Sequence, residues 1–407
     1  MSSDLQRWPF DRRPGAPLLP PLEYADRREK CPFDKVEMWN GEAAWMATRY
    51  EDVRMITRMP EMSSDPWNGF MPAPTEAALK SQMGKRRFFD KIDDPEHANE
   101  RAAVATEFTL KQVENYRGYV DSMCEELLDE MEKQPDPVDI FADFAREVPS
   151  RLTCRFIGIP ESEAPKLRDL VARAHGQAGS SGASKVEAGF EEILDYFGVV
   201  IDEVETRPRD DFASRLVHNS MLTGDLSRER TRSILAMMLV GGFDTTAAVI
   251  ALSIVVLLEN PEQLARVLAD PELWPRAVEE LLRYIAPSRF NFARIAKEDV
   301  LIAGKQVSAG EGIIASLASA NFDPERYPDP ESLDVERDAR GHFTFGFGIH
   351  QCVAHNLARM EVAVALEHFF QRFPHARLLS QSANLEFLNY NVTTPKEVFV
   401  DLHGGVR

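Results

Sequence analysis

Cysteine is scarce in this chain. Only Cys31, Cys124, Cys154 and Cys352 occur among 407 residues, and no two are close in sequence. That excludes a disulfide framework and a cysteine-clustered iron–sulfur site as organising features. Positive charge is also in short supply. The 47 Lys and Arg stand against 66 Asp and Glu, a formal net charge of −19. With no basic run to offset this, nucleic acid is not expected as a partner, and a soluble, cytoplasmic chain is. The first residues hold Asp4, Arg7 and prolines 9, 14, 17, 20 and 21 in place of an apolar segment. No secretory signal is expected there, and residues 1–22 read as an extended, partly mobile arm. No G-x-G-x-x-G, P-loop or cysteine cluster is present, so no fused reductase is expected.

Long hydrophobic runs are limited to one, at 234–258. Gly241, Gly242, Asp244, Thr245 and Thr246 lie at its centre. A carboxylate there is costly in lipid, and the length suits a helix crossing the middle of a large domain rather than a membrane. Apolar residues make up 44% and charged residues 28% of the chain, which places it among ordinary globular proteins.

Helical periodicity recurs at 96–108, 111–133, 139–157, 162–175, 184–206, 227–258, 260–269, 275–285 and 352–372. Near the N-terminus, 36–39 and 44–47 flank Asn40-Gly41, a hairpin turn signal, with a helix expected over 50–58. Short strand-like pieces fall at 299–302, 312–316, 386–388 and 397–400. The segment 60–92 is irregular, and the Gly/Ser/Ala stretch 176–184 reads as a flexible loop. The pattern is mainly α with a small β region, in a single domain over 23–407.

The chemistry gathers at one thiol. Phe345-Gly346-Phe347-Gly348-Ile349-His350-Gln351-Cys352 is a glycine-punctuated loop, and strong helix formers follow it. Cys352 is expected at the start of that helix, where the dipole and unpaired N–H groups favour a thiolate. The two glycines would let the backbone pass close to something large and flat. On the cysteine alone, four readings stand level: an axial haem ligand, a small buried hydrophobe, part of a zinc site with His350 and His355, and a Cys/His hydrolase nucleophile.

The octapeptide resembles the haem-binding loop of the cytochrome P-450 superfamily, F-G-x-G-x-H-x-C-x-G, with Ala354 where the last glycine usually stands. Three further motifs are similar to that family's. Glu280-Leu281-Leu282-Arg283 matches its E-x-x-R, otherwise an ordinary helical ion pair. Gly241-Gly242-Phe243-Asp244-Thr245-Thr246 matches its [AG]-G-x-[DE]-T-[TS]. A glycine pair in mid-helix costs roughly 1 kcal/mol per residue, and a buried polar group needs a partner. Asp94-Pro95-Glu96-His97 through Arg101 matches D-P-x-x-H-x-x-x-R and puts two cations on one helix face, unfavourable unless an anion lies between them.

The resemblance implies the P-450 triangular-prism fold, with a long central helix over haem b. It makes Cys352 the iron ligand, with Phe345, Gly346, Gly348, Ala354 and Gly241 beside the cofactor. His97, Arg101, Arg294 and His350 would hold the haem propionates, and Glu280 and Arg283 a structural pair. Asp244 and Thr245 would deliver protons to bound O2, with the helix widened at Gly241 and Gly242. Met237, Val240, Phe243, Arg289, Phe290 and Val392 are the substrate-pocket candidates, with Arg289 either binding a substrate carboxylate or turning away. The implied activity is a monomeric monooxygenase. It would insert one O atom from O2 into a small organic substrate, by hydroxylation or oxidative demethylation. Electrons would come from a separate ferredoxin and its NAD(P)H-dependent reductase, docking near Arg101 and Arg359. A nitric oxide reductase or peroxygenase is the alternative, and a non-enzymatic haem sensor a more distant one.

Overall fold

The computed structural model describes residues 5–82, 88–175, 183–290, 292–388 and 391–404. Helices dominate. Those that build the site are α1 (Glu96–Ala105), α2 (Leu110–Glu132), α3 (Glu147–Ile157), α4 (Ala164–Ala174), α5 (Ala183–Thr206), α6 (Arg228–Glu259), α7 (Trp274–Ile285) and α8 (His355–Arg372). The central helix α6 starts at Ser227, whose hydroxyl accepts from the Arg230 N–H at 3.2 Å, the usual N-cap arrangement. It is long and apolar enough to cross a membrane, but its apolar stretch is mostly buried inside the protein. α3, α5, α7 and α8 pack around it, and α2 lies along α8. The expected mostly-helical core is therefore present.

The β region joins distant parts of the chain. Strands β1 (Phe33–Glu37), β2 (Ala43–Ala47), β3 (Met62–Ser63), β4 (Ala293–Ala296) and β5 (Gly312–Ala315) form one sheet, in the order β1-β2-β5-β4-β3. The β1–β2 hairpin is antiparallel, with Val36 opposite Ala44. Its turn is the expected one: Gly41 has φ +81°, and the Asn40 side chain accepts from the Glu42 N–H at 3.2 Å. β2 and β5 run parallel, Met46 beside Ile314. Single-sequence reading found β5 but not β3 or β4, which are too short to show a period. The piece at 386–388 is a single bridge between Phe387 and Pro395 rather than a strand. The start of the helix expected at 139–157 becomes a π-turn, Phe141–Ala145, before α3. Most of the loop expected at 176–184 lies outside the described residues.

The N-terminal segment is docked along the sheet. The Trp8 N–H donates to the Glu37 carbonyl at 2.8 Å, and Trp8 and Phe10 are buried with Tyr24, Met46 and Ile314.

Candidate functional site

Phe345–Cys352 folds into a tight loop closed by the Cys352 N–H donating to the Phe345 carbonyl at 2.7 Å. Gly346 and Gly348 have φ of +70° and +76°, a region that penalises a side chain. Their other constraint comes from protein. A Cβ on Gly346 would sit 2.8 Å from the Phe292 ring, and one on Gly348 would sit 2.3 Å from the Thr57 carbonyl oxygen. Ala354, by contrast, has φ −89°, which any residue adopts, so alanine is unstrained there. Helix α8 begins at His355 with Ala354 as its cap, three residues beyond Cys352. The expected dipole-stabilised thiolate needs correcting accordingly. Burial pushes the Cys352 thiol up, and the Ala354 N–H, Arg101 and Arg359 offset this only in part. The sulfur would lose its proton on binding a metal. No group of three or more His, Cys, Asp or Glu is arranged to hold a metal ion among the described residues.

Cys352 lines a cavity of about 380 Å³ that also takes in His97, Arg101, Thr245, Arg294 and His350. One end of it is rich in buried nitrogen. The His97 and His350 ring centroids are 4.2 Å apart. His97 Nδ1 lies 3.1 Å from an Asp94 oxygen, while His97 Nε2 and His350 Nδ1 are shielded from water with no partner among the described residues. Burial lowers Arg294 to about 10. Burial, then Arg294, His97, Lys91 and Arg101, hold His350 down to about 2. Lys91, which sequence reading missed, is also lowered, by burial first and Arg294 next. A cluster of this kind is costly unless an anionic group enters it, so the residues present fit a haem, whose propionates carry two carboxylates.

On α6 the Thr245 hydroxyl donates to the Gly241 carbonyl at 2.8 Å. The helix runs unbroken through Gly241 and Gly242, so the expected widening is not seen. A side chain on Gly241 would meet nothing within 4 Å, whereas one on Gly242 would sit 2.6 Å from Thr153 Oγ1 on α3. The first glycine keeps space open beside Thr245, and the second lets α3 pack closely. Asp244 is engaged by His175, the C-terminal cap of α4, with Nδ1 3.0 Å from Oδ2. His175, from the 168–186 stretch that the resemblance places at the pocket, lines the cavity as well, though nothing in the sequence singled out this residue. Glu361, the ninth residue after Cys352, is another residue found only in the structure. It lines the cavity with one carboxyl oxygen unpartnered among the described residues, and burial raises it to about 8.

Glu280 and Arg283 are fully buried. Arg283 Nε and Nη2 donate to the Glu280 carboxylate at 2.7 and 2.8 Å, and Nη1 donates to the Asn321 carbonyl at 2.9 Å. Asn321 Oδ1 accepts from the Phe343 N–H at 2.6 Å, and the Thr344 hydroxyl donates to the Leu282 carbonyl at 2.6 Å. The pair thus ties α7 to the strand of chain entering the Cys352 loop.

Of the substrate-pocket candidates, Met237, Val240 and Val392 line the cavity, joined by Phe88, Phe156, Pro287 and Asn391. Phe243, Arg289 and Phe290 do not. Phe243 is core, 2% exposed. Phe290 packs edge-on against Trp8, and Arg289 turns towards the N-terminal segment, donating to the Phe10 carbonyl at 3.4 Å. Pro287 and Ser288 line the cavity, Ser288 being bridged to Val392, and Arg289 and Phe290 after them both face the N-terminal segment. Arg101 lines the cavity and so is not part of the outer face where docking was expected.

The family model for Cytochrome P450 matches residues 186–398. Cytochrome P450-SU2 of Streptomyces griseolus is 36% identical over 93% of this chain and 92% of its own length. Vitamin D3 dihydroxylase of the same organism is 34% identical over 93% and 92%. Among solved structures, cytochrome P450 MoxA from Nonomuraea recticatena superposes with a TM-score of 0.90 at 32% identity, covering 100% of both chains. With similarity spanning almost the full length and both central motifs in place about one cavity, this chain belongs to the cytochrome P450 family.

Proposed function

We propose that Cys352 ligates haem iron from one side of the cavity while Asp244 and Thr245 handle protons on the other, with electrons arriving from a ferredoxin. The chain is a haem-thiolate monooxygenase acting on a small organic substrate. Bound haem supplies the activation of O2 that a protein side chain cannot. The observation that carries the assignment of roles is the convergence, about one cavity, of a thiol that opens onto it and two shielded imidazole nitrogens. Lys91, Arg101, Arg294, His97 and His350 bind and orient the carboxylates. Thr245 holds a hydroxyl over the open space left by Gly241, and Asp244, steadied by His175, passes protons inward from the α4 end. The apolar wall of Phe88, Phe156, Met237, Val240 and Val392 excludes water and suits an apolar substrate. The presence of both the acid and the hydroxyl favours oxygen insertion over nitric oxide reduction, peroxygenase activity or sensing.

A groove between α2, α7 and α8, lined by Lys111, Arg117, Arg276, Arg340 and Arg359, is the docking face for the ferredoxin; Arg117, Arg340 and Arg359 pair there with Glu114, Asp338 and Glu279 of the same groove. Leu110 also lines it, 73% exposed, and adds apolar surface. The protein works in the cytoplasm as a monomer, with residues 23–407 as one catalytic domain.

The test is spectroscopic. Reduced protein with CO should show the red-shifted Soret band of thiolate ligation, and Cys352→Ala should lose both that band and turnover. A histidine-type CO spectrum in the native protein would refute the ligand assignment. Thr245→Ala should keep O2 consumption but release hydrogen peroxide in place of product.

A further inference from the structure

Arg12 and Arg289 form a pair of guanidinium groups on the far side of the cavity wall. Arg12 is held over the Phe387 ring at 4.3 Å, and Arg289 over the Phe290 ring at 4.6 Å. Each has one long contact to a carbonyl, Arg12 to Pro17 at 3.5 Å and Arg289 to Phe10 at 3.4 Å. Neither makes an ion pair among the described residues. Arg12 Nη2 is shielded from water with no acceptor. Asp11 is exposed and acts on Arg289 less than burial does, and Tyr24, raised by its own burial, faces Arg289 as a neutral phenol. Burial, with Arg289 adding to it, lowers Arg12 to about 9. Two half-buried like charges side by side without a counter-ion are unfavourable.

We propose that Arg12 and Arg289 bind a small oxyanion, a carboxylate or a phosphate, clamped between the N-terminal segment and the wall of the cavity. Stacking on aromatic faces fixes the planes of both guanidinium forks, and such forks match the spacing of two oxyanion oxygens. The occupant would be felt in the cavity. The Arg289 N–H donates to the Asn391 carbonyl at 2.9 Å, the Phe290 N–H donates to Asn391 Oδ1 at 3.1 Å, and Asn391 and Val392 line the cavity. The site is separate from the propionate cradle and goes beyond the catalytic reading. The anion can be free in solution or be the carboxylate of a substrate that reaches through the wall.

Calorimetric titration of haem-loaded protein with sodium phosphate and with sodium benzoate, at constant ionic strength made up with sodium chloride, separates these cases. Binding that is roughly tenfold weaker in both Arg12→Gln and Arg289→Gln, and partly kept in Arg289→Lys, supports the site. Phosphate heat without a Soret change marks a free ion. Benzoate heat with a Soret spin-state shift, absent for methyl benzoate, marks a substrate carboxylate. Equal heats in the native protein and both variants, or none, overturn the proposal. The CO band of each variant reports its fold and the thiolate assignment independently.

Discussion

Glu280 and Arg283 brace the chain that enters the Cys352 loop, whereas His97, Lys91, Arg294 and His350 line the cavity that the loop faces. Both clusters are charged, and both are shielded from water. In the first, all three guanidinium nitrogens donate, and the carboxylate also accepts from Arg337 Nε and the Asp334 N–H. In the second, His97 Nε2 and His350 Nδ1 have no partner among the described residues, and burial drives Arg294, Lys91 and His350 towards their neutral forms. A closed network holds a fold together, and an open one waits for a ligand. The difference cannot be read from composition or spacing, since both clusters are short motifs of ordinary residues.

The largest effect should come from opening the closed cluster. Arg283→Met should cost ~3–5 kcal/mol, because it takes the bidentate partner from a fully buried carboxylate and leaves Glu280 only Arg337 and the Asp334 N–H. Urea denaturation should show the loss, and a change below about 1 kcal/mol would mean that water reaches the pair.

Glu361 tests the same idea with a single acid. Its folded value, about 8, lies above the ordinary carboxylate range. Between the ordinary value and about 8, the unfolded chain has released this proton while the fold keeps it, so stability falls as pH rises through that window and then levels off. Glu361→Gln should flatten the slope and raise stability at pH 9 by roughly 2–3 kcal/mol. Melting temperatures at pH 5 and pH 9 measure it. Equal pH slopes in the two proteins would show the acid to be solvated.

Removing a cation from the open cluster should act in the opposite sense to Arg283→Met. Arg294→Met should leave haem-free protein as stable as before or slightly more so, yet weaken haem retention by roughly tenfold, one charge-assisted contact being lost. Transfer of haem to a scavenger protein gives the rate, and unchanged transfer would place the propionates elsewhere. The smallest effect is expected at His175. His175→Ala should lower coupling of O2 use to product by about twofold, since Asp244 loses a positioning contact, and should shift the pH profile of turnover. His175→Gln should restore coupling but not the profile.

Legibility followed the same division. The Phe345–Cys352 loop, Glu280 with Arg283, and Gly241–Thr246 could be picked out because their residues are contiguous or one helical turn apart. Lys91, His175 and Glu361 could not, since each meets the cavity only after elements far apart in the chain have packed. The reason given for the glycines also changed. Gly346 and Gly348 were expected to make room for a flat ligand, but they are needed for positive φ and for contact with Phe292 and Thr57. Arg289 was placed in the right stretch of chain with its direction unresolved, because the groups it meets there, Phe10 and Arg12, come from a segment remote in sequence.

The helical periodicities, the Asn40-Gly41 turn and the thiol in its glycine loop were determined by the sequence alone, since each depends on neighbours within a few residues and on local backbone sterics. Tertiary structure decided which polar groups would be satisfied. Whether a buried cation has a partner depends on what the rest of the chain brings to it: Glu280 brings one to Arg283, and no described residue brings a carboxylate into ion-pairing range of Arg294, Arg12 or Arg289.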